Sequence, residues 1–127
     1  MKKKPWTPNP NVPYYVLSFK HTWIIPAIVV RLIDGDTVVV HMEVMPGFVL
    51  HEAHVRVQGI NAPELNTQEG KDAWAFAKNL LPVNSVIKLT MNDTDKYGRM
   101  LARVTMTDSR DFGSVMIESG QAVEYNL

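Results

Sequence analysis

From Trp23 to Val44 the chain is rich in isoleucine and valine and is interrupted once, by Asp34-Gly35-Asp36. β-Branched residues in such a run favour strands, and an Asp-Gly pair at its centre is a strong local signal for a tight hairpin turn. This segment therefore commits the first half of the chain to two antiparallel strands. Met45-Pro46-Gly47 marks the next break. Residues Ala53–Ile60 then alternate as a third strand, with Val55 and Val57 on one face and Arg56 and Gln58 on the other. Asn61-Ala62-Pro63-Glu64 is expected to end it, because proline cannot donate to a ladder.

A helix is expected over roughly Thr67–Leu81. Ala73, Phe76, Ala77 and Leu80 fall at helical spacing, and Pro82 stops the run. Asn66 is placed as its cap, with Glu69 three residues on in a capping-box relation. Val86–Met91 and Leu101–Thr107 read as two more strands. Asp111 then caps a short helix, Phe112–Ser119, with Gly120 just beyond its end. Three strands, a helix, two strands and a short helix give an α+β, mainly β, fold. The expected architecture is a five-stranded barrel of the oligonucleotide-binding type with one main helix and one short C-terminal helix.

At 127 residues the chain fits one domain with its own core. It has no cysteine, so neither a disulfide nor a thiolate metal site is available. Residues 1–20 are set apart as a basic, proline-rich arm: four of the eight prolines fall in residues 1–13, with Lys2, Lys3, Lys4 and Lys20 and no acid. Within it, Tyr14–Lys20 is expected as an accessory strand. Residues 21–127 form the domain proper and carry an excess of acids over bases. An acidic body argues against a non-specific nucleic-acid coat, but not against local recruitment of a cation and one phosphate. The lysines at the start are followed by prolines, not by an apolar segment, so no secretory signal is evident. The longest apolar stretch, Ile24–Val30, is too short to span a membrane and contains Pro26. No membrane association is expected, and the cytoplasm is favoured over secretion.

Four groups of residues carry chemistry. Asp34 and Asp36 put two carboxylates on one turn, where they can hold a hard cation through oxygen or serve only the hairpin. Arg56, within an apolar strand, is either a phosphate clamp or a stem lying on an exposed wall. Glu64 follows a strand-ending Ala-Pro, where a carboxylate can take a proton from water or merely face solvent. Asp95-Lys96-Tyr97-Gly98-Arg99 aims Arg99 from a glycine-bearing turn, with Lys96 and Tyr97 able to meet a phosphate or a base. His51 and His54 are read as surface residues, without the further ligands a zinc site needs.

These strings, IDGDT, VRVQGINAPE and DKYGRMLA, with the closing MIESGQAV, resemble the staphylococcal nuclease family from about Trp23 to Val123. The resemblance implies an oligonucleotide-binding barrel that hydrolyses DNA and/or RNA with one Ca²⁺ ion and little sequence preference. It assigns Asp36 and Asn61 to the metal, with the backbone carbonyl of Ala62 and with Asp34 and Thr37 behind them. It assigns Arg56 and Arg99 to the phosphate and its transition state, and Glu64 to activation of water. Lys96, Tyr97 and Tyr125 are left for substrate contact, and a monomer is expected. Asn61 stands where the family carries a second acidic ligand. An amide oxygen brings no charge, and a unit charge a few ångströms away is worth on the order of a few kcal/mol at an effective dielectric of about 20. Weaker metal binding follows. The sequence ends before the final helix of longer family members, which implies a short form with weaker base stacking. A catalytically weakened barrel that binds single strands or a protein partner is the alternative.

Overall fold

The computed structural model describes residues 22–94 and 99–125, with 92–94 described as backbone only. The proposed arm, including Tyr14–Lys20, lies outside the described residues.

The expected hairpin forms, but its two turn residues are Gly35-Asp36, and neither takes the positive φ that an Asp34-Gly35 turn would need. Strand β1 (Trp23–Asp34) and strand β2 (Thr37–Met45) pair antiparallel from Asp34 opposite Thr37 to Ala27 opposite Met42. Pro26 lies just before that ladder begins, so its missing donor is opposed only by the strand on its other side. Strand β3 (Phe48–Val57) returns antiparallel to β2 and places Thr37 opposite Arg56. Its tip is apolar and open: Met45, Phe48 and Val49 are all exposed.

β3 starts five residues earlier and ends three residues sooner than its alternation predicts. The early start comes from the pairing of Phe48, Val49 and Leu50 with the end of β2. The early end comes from Gly59, whose φ of +87° turns the chain at Gln58-Gly59. Ile60–Asn61 is then a separate short strand, β4.

Helix α1 (Gln68–Leu80) follows, and its cap is Thr67, not Asn66. Thr67 has extended backbone angles and its Oγ1 accepts from the Gly70 N–H at 3.0 Å. The third helical residue is thus Gly70, which has no side chain to complete a capping box. Ala73 and Ala77 are fully buried, and the Trp74 indole donates to the Leu32 carbonyl of β1 at 2.8 Å. Those contacts fix α1 against the hairpin.

Strand β5 (Val86–Thr94) pairs antiparallel with both β1 and β6 (Met100–Thr105). β6 runs parallel to β3 over Val55–Val57 and closes the barrel in the order β1-β2-β3-β6-β5. Its interior holds Val29, Val38, Val40, Val55, Leu89 and Val104. Helix α2 (Phe112–Glu118) is capped by Asp111, which accepts from Ser114 N at 2.9 Å, and ends before Gly120 at φ +77°. Phe112 and Met116 complete the core. A final strand, β7 (Val123–Glu124), pairs with β4 in a second, two-stranded sheet. Among the described residues no helix is long and apolar enough to cross a membrane.

Candidate functional site

The site begins at the β1–β2 turn. Asp34 Oδ1 accepts from the Asp36 N–H at 3.0 Å, which folds the turn onto its own side chain. Gly35 lies so close to neighbouring elements that a Cβ there would be 2.8 Å from Ala62 Cβ and 3.3 Å from Ala73 Cβ. The turn is thereby wedged between the Asn61–Glu64 connection and helix α1. Asp36 is carried inward and is only 7% exposed.

Three groups meet the Asp36 carboxylate. Oδ2 accepts from the Ala62 N–H at 2.8 Å, Oδ1 accepts from Thr37 Oγ1 at 3.2 Å, and Arg56 Nη2 stands 3.5 Å from Oδ2. Burial nevertheless dominates. Together with the adjacent Asp34 it raises Asp36 from its ordinary 3.8 to about 6, against the lowering pull of the Ala62 N–H and the Arg56 charge. Asp36 is therefore a carboxylate whose ionised form is disfavoured by its burial.

Arg56 lies on the wall face opposite Val55 and Val57, as its strand parity predicts, but that face is covered and Arg56 is 5% exposed. Register explains the cover: Thr37 and Leu101 flank it directly on β2 and β6, and both are buried. Its Nη1 donates to the Val57 carbonyl at 2.7 Å and its Nη2 to Asn61 Oδ1 at 3.3 Å. One guanidinium nitrogen thus bridges the side chains of Asp36 and Asn61. No buried side-chain nitrogen or oxygen among the described residues lacks a partner.

Asn61 is held by its backbone. It pairs with Val123 through the β4–β7 ladder, and Tyr125 N donates to the Gly59 carbonyl at 2.9 Å. Nothing in the sequence announces this second sheet, since two-residue strands leave no periodic trace. Tyr125 is partly exposed beside it. Ala62 meets Asp36 through its N–H, and no contact of its carbonyl is described. Glu64 is exposed one residue past Pro63, and its carboxylate engages no described partner. Arg99 is half-buried and already engaged, immediately before the β6 segment that pairs with the Arg56 strand. Lys96 and Tyr97 lie outside the described residues.

The structure thus brings Asp34, Asp36, Thr37, Arg56, Asn61 and Ala62 together, and sets Glu64 on the same connection without joining it to them. Among the described residues no group of three or more histidines or carboxylates is placed to hold a metal. The donors on offer are the buried Asp36 carboxylate and the Asn61 amide oxygen, which already accepts from Arg56. That oxygen set suits a hard cation completed largely by water.

A closed five-stranded barrel flanked by two helices, with a carboxylate, a guanidinium and an amide on its wall, defines an α+β protein of the oligonucleotide-binding-barrel class. Residues 54–127 match the sequence model of the staphylococcal nuclease homologues, and the chain belongs to that family. It is 32% identical over 97 residues to an uncharacterized endonuclease of Escherichia coli O157:H7, covering 76% of this chain and 59% of that relative. A second uncharacterized endonuclease, from Escherichia coli, is 31% identical over the same coverage. Protein ParB of Escherichia coli is 30% identical over 107 residues, covering 78% of this chain and 56% of ParB. The chain therefore spans under two thirds of the length of these relatives.

Proposed function

We propose that the chain is a nuclease that hydrolyses phosphodiester bonds of DNA and/or RNA with the help of one Ca²⁺ ion and little sequence preference. The observation that carries this reading is the buried Arg56 guanidinium spanning Asp36 and Asn61 beside the Asn61–Glu64 connection. A buried arginine with a second carboxylate in sequence reach is the equipment of phosphate chemistry, because charge gathers on the non-bridging oxygens as water attacks phosphorus. The names of the two endonuclease relatives point the same way.

Asp36 and Asn61 would hold the cation, with Asp34 and Thr37 orienting Asp36 from behind. When bound, the cation would supply charge at the scissile phosphate. Arg56 and Arg99 would bind that phosphate and strengthen their hold as the transition state forms. Glu64 would take the proton of the attacking water, and Tyr125, Lys96 and Tyr97 would contact the substrate strand. Incubation with plasmid and single-stranded DNA tests the reading: cleavage that needs Ca²⁺, stops with chelator and is lost in Arg56→Ala supports it. No cleavage at high Ca²⁺ by wild type and by Asn61→Asp alike would sink it.

A second reading has its own observation. Arg56 Nη2 already bridges Asp36 and Asn61, and the site has one ionised ligand where a tight Ca²⁺ site has several. A barrel so equipped can bind a single strand or a protein partner with catalysis weakened or lost. Strand binding that survives chelation, without cleavage, distinguishes it.

A further inference from the structure

Glu64 presents a mechanical difficulty for any role in the reaction. Its side chain is exposed, and among the described residues its carboxylate has no hydrogen-bond or ionic partner. A glutamate in that setting samples many rotamers, whereas general-base chemistry needs it within hydrogen-bond reach of one water. Whatever places it must act through the backbone.

The backbone is held from both sides. Upstream, the Ala62 N–H is tied to Asp36. Downstream, the Glu64 carbonyl accepts from Thr67 N at 3.0 Å and from Thr67 Oγ1 at 2.6 Å. The same Oγ1 accepts from the Gly70 N–H, so one hydroxyl joins Glu64 to the first turn of α1. Gly70 lies directly on that carbonyl. A Cβ there would overlap the Glu64 carbonyl oxygen and come within 2.9 Å of Leu65 Cα. A glycine in the first turn of a helix is a poor choice for the helix itself. Here it lets the helix approach Glu64.

We propose that Thr67 and Gly70 are positioning residues for Glu64, fixing its backbone so that its carboxylate reaches the attacking water. The inference rests on the nuclease reading given above. It goes beyond helix capping, because a cap needs only the Thr67 acceptor, whereas positioning Glu64 needs the Thr67 donor and the missing Gly70 side chain.

That difference makes the test. Aspartate is a good cap but its ionised side chain has no donor, so Thr67→Asp keeps the bonds made by Gly70 N and Thr67 N and loses the side-chain bond to the Glu64 carbonyl, setting a carboxylate against it instead. Thr67→Ser retains both. Kinetics of Ca²⁺-dependent DNA cleavage, with thermal melts alongside, should show kcat for Thr67→Asp down by about tenfold or more, with KM nearly unchanged. Thr67→Ser should restore kcat to within about twofold of wild type. Gly70→Ala, which improves helix propensity, should lower kcat as Thr67→Asp does, and serves if Thr67→Asp folds poorly. In a Glu64→Gln background Thr67→Asp should cause no further loss, because its effect runs through Glu64. Wild-type kcat in Thr67→Asp, or an undiminished further loss in the Glu64→Gln background, overturns the inference. If Glu64→Gln itself cleaves like wild type, the role given to Glu64 fails and the positioning falls with it. If Glu64→Gln is impaired and Thr67→Asp is not, the positioning alone fails.

Discussion

Asp36 carries the clearest consequence at the scale of single residues. Its folded value of about 6 stands above the ordinary 3.8. The fold therefore gains from protonated Asp36 below pH 3.8 and loses that gain as pH rises through 6, a term of roughly 3 kcal/mol. Ionised Asp36 at neutral pH is a cost that a cation can offset. Carboxyl-carbon NMR without cation should find Asp36 titrating near 6, and calorimetry should find Ca²⁺ affinity falling by about tenfold per pH unit below that point. Asn61→Asp adds the missing charge next to Arg56 and should raise Ca²⁺ affinity by about tenfold or more, read by the same calorimetry. An unchanged affinity would remove Asn61 from the site. Asp36 and Arg56 stand out in the sequence as a candidate ligand and a candidate clamp, but their burial does not. Strand parity put Arg56 on the outer wall correctly, yet its cover by Thr37 and Leu101 depends on β2 and β6, which no local pattern reports.

The first hairpin, both helices and the Asp111 cap were legible because each is decided within a few residues; the turn residues themselves, Gly35-Asp36, are set by packing against Ala62 and Ala73. Thr67 was missed as a cap by one position, since Asn66 is equally good by type and only the hydrogen bond to Gly70 separates them. The β4–β7 sheet and the start of β3 were illegible because their partners are distant in sequence. Gly35→Ala forces a Cβ against Ala62, Ala73 and Met116, and chemical denaturation should show a loss of about 1–3 kcal/mol with Asp36 displaced. Truncation after Ala122 removes β7 and its pairing to Asn61. It should lower Ca²⁺ affinity by calorimetry while far-UV circular dichroism keeps the barrel signature.

Charge distribution matters for the molecule as a whole. Outside residues 1–20 acids outnumber bases, so electrostatic attraction to a nucleic acid has to be local. With Arg56 and Arg99 as the phosphate contacts, single-strand affinity should fall with salt on a log–log slope of about −1.4. Fluorescence anisotropy across salt concentrations measures it, and a slope several times steeper would reveal a basic surface beyond these two arginines. The barrel accounts for this economy: closure through β6 brings the Arg99 end of the chain to the strand that carries Arg56, and the β1–β2 turn brings Asp36 to the same strand. The central claim is that this junction cleaves phosphodiesters with a cation. Plasmid DNA incubated with wild type, Arg56→Ala and Asn61→Asp, in Ca²⁺ and then in chelator, tests it most directly. The account predicts Ca²⁺-dependent nicking by wild type, more at limiting Ca²⁺ by Asn61→Asp, and none by Arg56→Ala. Intact plasmid with both wild type and Asn61→Asp at high Ca²⁺ would contradict it.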